Sequence, residues 1–280
     1  MEQWHRLGTV TAILLAGIFV TTMLESSRGD SADSVPTPGF IAAALEDQAY
    51  AYGGSLDVSF SYSPDTASAV QRPSRYIKTP DIVYAERVHE NGRLTRDSYN
   101  RLTAEYHALA VWPSGKAEGA VGSLAQGLLT DQSIPDPVHY PLWEDSLLSL
   151  IARGTVSPRP ESVGGSMCWR VSLPSLGESL TVWVDPTIGF CPRRIEAKWR
   201  DVPTAQSIEF RSYQEISPGV WYPMELRSRL INRRGEEIEV ASRVTSVKIG
   251  QVFSPSDLIV TFPSGTTVAD NDTMTEFVQP

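Results

Sequence analysis

The sequence predicts an α+β protein built on one large antiparallel sheet, and three observations carry that prediction. From Met167 to Val268 the chain is a series of short strand-like segments with turn residues between them. Several alternate cleanly: Ile195, Ala197 and Trp199 fall on one face of their segment, and Arg194, Glu196 and Lys198 on the other. Helical spacing shows in two segments, residues 37–48 and 141–154. A period of two with one apolar and one charged face describes a sheet that is dry on one side and wet on the other. The dry side requires a cover, whether helices, a second sheet or a ligand.

Leu7 to Leu24 carries no charge and follows a short start containing Arg6, the plan of a secretory signal. No Ala-x-Ala pattern follows, and the run approaches the ~20 residues that span a bilayer as a helix, so an uncleaved anchor stays open. Either way the rest of the chain is expected to be exported to the periplasm or cell envelope, with Arg6 keeping the N-terminus inside. An uncleaved segment would tether it to the inner membrane. Residues 1–24 are therefore read as signal or anchor, 25–36 as a Ser- and Asp-rich linker, 37–268 as one domain and 269–280 as a loose tail.

Thr37 and Pro38 open the first helix as cap and first-turn residue, and Phe40, Ile41, Ala44, Leu45 and Gln48 stripe one side. Gly53-Gly54 stops it. Leu56 to Tyr62 alternates strictly and reads as the first strand. Strands follow at 75–79 and 81–89, with Asn91-Gly92 turning the chain into 94–102 and then 105–112. Pro113 to Leu142 is broken by Gly and Pro and reads as a long loop with residual helix. The second helix is expected over Pro141 to Gly154, with Trp143, Leu147, Leu148 and Ile151 on one face. After the meander, Leu258 to Phe262 is expected to close the sheet.

A formal net charge of −9 with no basic run argues against a nucleic-acid partner and reads as solubility. The interleaved arginines and glutamates of the meander (Arg193, Arg194, Arg227, Arg229, Arg233 and Arg234 with Glu196, Glu225, Glu236, Glu237 and Glu239) read as a solvated face. Cys168 and Cys191 are expected as free thiols. Register puts them beside Val184 on opposite flanks, ~9–10 Å apart, Cys168 on the wet face and Cys191 on the dry one. No catalytic, cofactor or metal site is expected. His5, His89, His107 and His139 are scattered without ligand spacing, and Gly164-Gly-Ser-Met-Cys168 begins a strand and lacks the strand–turn–helix setting of a nucleophile elbow.

The dry face is assembled from Leu56, Val58, Phe60, Trp169, Val171, Leu180, Val182, Val184, Ile195, Ala197, Trp199, Ile208 and Phe210. Two readings compete for it: a core filled by the helices, the ordinary fate of such residues, or the lining of an apolar cavity.

Several segments together resemble the periplasmic lipoprotein-carrier superfamily, LolA-like with LolB-like and RseB-like relatives. They are Leu56-Asp-Val-Ser-Phe60, Val163-Gly-Gly-Ser-Met-Cys-Trp-Arg-Val-Ser-Leu173, Leu180-Thr-Val-Trp-Val-Asp-Pro-Thr-Ile-Gly-Phe190, Arg193-Arg-Ile-Glu196, Pro218-Gly-Val-Trp-Tyr-Pro-Met224 and Phe262-Pro-Ser-Gly-Thr-Thr-Val268. The resemblance covers about Phe40 to Val268. It implies an incomplete antiparallel half-barrel with helices over its concave face and an apolar cavity between. It further implies a monomeric, non-enzymatic protein that binds lipid acyl chains or a lipoprotein, with Val58, Phe60, Trp169, Val171, Val182, Val184, Ile195, Trp199 and Phe210 lining the cavity. The alternative it carries is a membrane-anchored envelope sensor or interaction module that binds a membrane or envelope protein without transporting lipid.

Overall fold

The computed structural model describes residues 34–52, 54–63, 72–123, 136–137, 141–142, 145–174, 178–199, 205–231 and 234–280. The chain divides into compact units at 1–35 and Pro36–Pro280, and every element below belongs to the second. The expected signal or anchor, residues 1–24, lies outside the described residues.

In chain order the elements are α1 (Pro38–Ala51), β1 (Leu56–Ser63), β2 (Arg72–Lys78), β3 (Ile82–Val88), β4 (Leu94–Asn100), β5 (Glu105–Val111) and β6 (Ala117–Gly122). Next come β7 (Pro141–Leu142), β8 (Asp145–Ser146), α2 (Leu147–Ala152), β9 (Thr155–Val156), β10 (Glu161–Val163), β11 (Ser166–Leu173), β12 (Glu178–Asp185) and β13 (Cys191–Trp199). The chain finishes with β14 (Ala205–Ser217), β15 (Val220–Ile231), β16 (Glu237–Ile249), α3 (Pro255–Leu258), β17 (Thr267–Asp270) and β18 (Thr275–Val278).

One sheet of 16 strands runs β10-β11-β12-β13-β14-β15-β16-β1-β2-β3-β4-β5-β6-β17-β18, with β9 beside β11. Its pairs are antiparallel except β17 on β6. The two ends do not meet, so the sheet is open. Register breaks between Ser59 and Phe60, between Trp183 and Val184 and between Glu215 and Ser217; such bulges increase local twist and bend a sheet. The α+β class and the open half-barrel with α1 and α2 on its concave face are as expected.

Four expectations about single segments are corrected. Ala117–Gly122, taken as loop, is β6; its small residues hide strand propensity because Phe262 packs on Gly119, where a Cβ would come within 2.6 Å of the ring. The helix expected from Pro141 starts only at Leu147, since Pro141–Leu142 and Asp145–Ser146 pair with each other and use the backbone groups of an earlier turn. Leu258–Phe262 is not a strand. Leu258 ends α3, and residues 259–262 continue as a strap over the convex face, where Val260 N–H donates to Ser98 Oγ (3.0 Å) and its carbonyl meets His107 Nδ1 (3.0 Å). Residues 269–280, expected to be loose, fold back because Asp270 Oδ1 accepts from the N–H groups of Asp272 and Thr273, and Thr275–Val278 then pairs with β17.

The Val-Asp-Pro-x-x-Gly segment has a full physical account. Asp185 caps a 3₁₀ turn at Pro186–Ile188, accepting from Thr187 N–H (2.9 Å) and Thr187 Oγ1 (2.6 Å). Its other oxygen takes Arg193 Nε at 3.0 Å. Gly189 ends the turn at φ 66°, and a Cβ there would lie 2.7 Å from Gln48 Nε2, so the glycine serves both the turn and the passage of α1. The bulge at Trp183/Val184 also pairs Cys191 with Asp185 instead of Val184. Cys191 therefore loses the parity with Ile195 that placed it on the dry face. Both cysteines are free and buried, and burial pushes Cys168 to about 11 and Cys191 to about 12.

Burial alone would raise the Asp185 carboxyl, but the hydrogen bonds from Thr187, Arg193 and Ser166 hold it below the usual range. Its folded pKa is lower than its unfolded one, so its contribution is complete above ~4 and is lost as pH falls through the folded value. Asp185→Asn leaves Arg193 without its buried partner and is expected to cost about 3 kcal/mol at pH 7. Denaturant melts across pH check this: the deficit shrinks below about pH 4, and a pH-independent deficit contradicts the assignment.

Candidate functional site: the concave face

The concave face has two unlike halves. In the first, Val171, Val182, Ile195 and Ile208 lie in register across β11 to β14, and Trp169 sits opposite Val184. Ile41 and Leu45 of α1 and Leu147, Leu150 and Ile151 of α2 pack directly on them in one cluster that also takes in Phe210. This half is core. The helices fill it.

α1 is fixed there by its capping and by one polar side chain. Thr37 Oγ1 accepts from Phe40 N–H, and Phe40 stands edge-on to Phe190 with centroids 5.5 Å apart. Gln48, read from sequence as part of the apolar stripe, is buried but hydrogen-bonded to the β14–β15 turn. Its Nε2 donates to Gly219 O (2.8 Å) and its Oε1 accepts from Trp221 N–H (3.0 Å). A polar residue at that stripe position is the sequence signal for this clamp.

The second half, over β16 and β1 to β5, is a core cluster of another kind, in which Val58 and Phe60 are buried with a set of tyrosines: Tyr52, Tyr62, Tyr76, Tyr106 and Tyr222. Tyrosine offers apolar area with a hydroxyl that needs a partner when buried. Two such partners are carboxylates inside the fold. Tyr106 donates to Asp97 (2.7 Å), which also takes Arg87 (2.7 Å); Tyr76 and Lys78 both donate to Asp136 at 3.1 Å. Burial pushes Lys78 down to about 8, while the Asp136 charge works the other way.

Where the halves meet, a cavity of ≈ 390 Å³ opens beside the end of α1. Ala49, Tyr52, Leu56, Pro80 and Leu148 give it apolar walls, and Glu46, Lys78, Thr79 and Arg101 supply its polar lining. Leu148 of α2 packs against both clusters and so stands at the seam.

Of the residues expected to line a cavity, Trp169, Val171, Val182, Val184, Ile195 and Phe210 are in the helix-filled half, and Val58 and Phe60 in the tyrosine half. The side chain of Trp199 lies outside what is described. None of these lines the ≈ 390 Å³ cavity; among residues of the expected apolar face, Leu56 does. On the opposite face Trp183 Nε1 donates to Glu161 (3.0 Å), and arginine–glutamate pairs such as Arg194–Glu196, Arg211–Glu209 and Arg229–Glu237 make the mixed surface expected there. Arg193 is the exception, drawn to Asp185. His107 lies beneath the 259–262 strap, and His139 and Glu144 fall outside the described residues. Among the described residues no group of three or more His, Cys, Asp or Glu is placed to hold a metal ion. No described helix is long and apolar enough to cross a membrane.

No family model matches the chain, and no curated protein matches it. Among solved structures, a DUF1329 family protein from Desulfovibrio piger is similar at 13% identity with a TM-score of 0.51, over 80% of this chain and 100% of that one. A LolA superfamily protein from Nitrosomonas europaea is similar at 10% identity with a TM-score of 0.49, over 81% and 99%. Identities this low speak to fold alone, and the fold of this chain is an open antiparallel sheet with α1 and α2 on its concave face.

The Lys78 site gives a measurable titration. A ¹³C NMR titration of the lysine side chains is expected to show one midpoint at about 8 that disappears in Lys78→Met. The folded value lies below the unfolded ~10.4, so the folded state binds fewer protons between the two. Stability then rises with pH across that window. A wild-type titration with every lysine near ~10.4 contradicts the buried placement.

Proposed function

We propose that this protein binds the acyl chain of a lipid or a lipidated polypeptide in its half-barrel, as a binding protein and not an enzyme. The observation that carries the reading is the ≈ 390 Å³ apolar-walled cavity at the seam, which shares Ala49, Tyr52, Leu56 and Leu148 with the tyrosine-rich cluster. Each methylene buried there contributes about 0.8 kcal/mol, so a chain binds without polar recognition along its length. The hydroxyls of Tyr76 and Tyr106 already have partners in Asp136 and Asp97, which leaves their rings as apolar lining.

The uncharged run from Leu7 to Leu24 after Arg6 supports export, and we take the site of action to be the periplasm or cell envelope. If that run is retained, the protein works tethered to the inner membrane and receives or presents its cargo there, without shuttling between membranes.

Extraction of the purified full chain with organic solvent, followed by mass spectrometry, tests the reading. Stoichiometric lipid is expected in the wild type. Ala49→Trp, which fills the cavity from a half-buried helix position, is expected to lower it at least roughly five-fold with little change in melting temperature. A lipid-free wild type that also fails to take up fatty acid from micelles would leave the interaction-module alternative in its place.

A further inference from the structure

At the far end of β2 from the cavity, the concave face changes from apolar to cationic. Register places Ser74 opposite Phe60 and Arg87, and Arg87 opposite Thr95. One step further along, Arg72 pairs with Tyr62, and His89 N–H donates to Arg93 O at 2.8 Å across the Asn91-Gly92 turn. Continuing the β2–β3 register carries Arg72 opposite His89, so Arg72, His89 and Arg93 form one cross-strand row with Ser74 and Thr95 in the next. The His89 Nε2 to Thr95 Oγ1 distance of 3.0 Å ties the rows together.

Charge concentrates in this corner. Burial first, and then Arg93, Arg87 and Arg72 in that order, lowers the pKa of His89, with Asp97 acting the other way. Asp97 is taken up by Arg87 and Tyr106. Glu90 reaches Arg72 at 2.9 Å from an exposed position. Arg93 lies over Trp112, 5.7 Å from its ring centroid. Yet donor capacity is left over. Arg72 is 7% exposed and Ser74 8%, and among the described residues Arg72 Nε, Ser74 Oγ and Arg93 Nε are buried without a hydrogen-bond partner. A buried polar group left unpaired costs roughly 1–3 kcal/mol. Three such groups lie in adjacent rows of one face beside His89, and one shared acceptor would satisfy them together.

We propose that this corner binds a compact oxyanion, a phosphate or carboxylate group, through Arg72, Ser74 and Arg93, with His89 at its side. Guanidinium groups suit this chemistry, since they donate charge-assisted and often paired hydrogen bonds to such oxygens. The site does not rest on the acyl-chain reading: it is built from other residues at the other end of the strand. A bound anion offsets the three guanidinium charges that add to burial in lowering the His89 pKa, so binding raises that pKa and strengthens as pH falls through it. Asp97 and Glu90 oppose the anion without removing this sign, because each is engaged by one of the arginines.

Imidazole NMR of the isotope-labelled full chain provides the test, with inorganic sulfate titrated against sodium chloride at matched ionic strength. Sulfate is expected to shift His89 saturably and to raise its pKa, where chloride does neither. Arg93→Gln and Ser74→Ala, both milder than removal of the buried Arg72, are expected to weaken sulfate binding, the former about ten-fold. Vesicles of phosphatidylglycerol against phosphatidylcholine then separate the sources. Sulfate-competable binding to the former alone identifies a lipid headgroup, and sulfate binding with neither vesicle identifies a free oxyanion. Both support the site. It is overturned if chloride reproduces the His89 shift, or if both variants bind sulfate as the wild type does.

Discussion

The two helices, of 14 and 6 residues, pack chiefly on one end of a 16-stranded sheet, and the interior is organised around that asymmetry. Apolar surface left in water costs about 25 cal/mol for each Å², so some cover is obligatory. α1 and α2 concentrate on the β11–β14 end, where Val171, Val182, Ile195 and Ile208 align in one row beneath Ile41, Leu45, Leu147 and Ile151. The β1–β5 end takes another course. Its side chains carry hydroxyls and charges that find partners within the fold, as Tyr106 and Arg87 do in Asp97 and Tyr76 and Lys78 in Asp136. Helix filling and polar lining meet at Leu148, and the cavity opens there.

The position of α1 follows from details that hydrophobicity alone does not convey. Gln48 clamps the helix to Gly219 and Trp221, and Gly189 has no Cβ to obstruct that side chain. The turn that supplies Gly189 is itself capped by Asp185, whose second oxygen holds Arg193. A hairpin of the sheet and the helix over it are thus fixed by one short segment, Val184 to Gly189. This is why a motif common to many hairpins carries structural weight in this chain.

Much of the fold was legible because period-two alternation survives wherever one face is buried. Ile195, Ala197 and Trp199 against Arg194, Glu196 and Lys198 placed β13, and the turn at Asn91-Gly92 placed β3 and β4. Alternation failed where the sheet is covered on its other face or made of small residues, as in β6, where Gly119 is small to admit Phe262. It failed again where a single extra residue resets parity, as at the Trp183/Val184 bulge beside Cys191. The candidate site was less legible than the fold. Apolar character identified Val171, Val182 and Ile195 as facing inward, but whether an inward residue meets a helix or a hollow depends on helix length and placement. The shortening of the second helix to Leu147–Ala152 was not visible in a run beginning at Pro141. The inward arginines and tyrosines of β2 to β4 were read past because they break the apolar pattern, and that break was the signal.

The central claim is the proposed one: the helices fill the β11–β14 half, and the cavity at the seam receives the guest. Paramagnetic broadening of backbone amides by a spin-labelled fatty acid tests it most directly. The account predicts saturable broadening at Ala49, Tyr52, Leu56 and Lys78 around the cavity, with Val171, Val182 and Ile195 untouched. Broadening centred on Val171 to Ile195, or spread evenly over the outer surface, would contradict it.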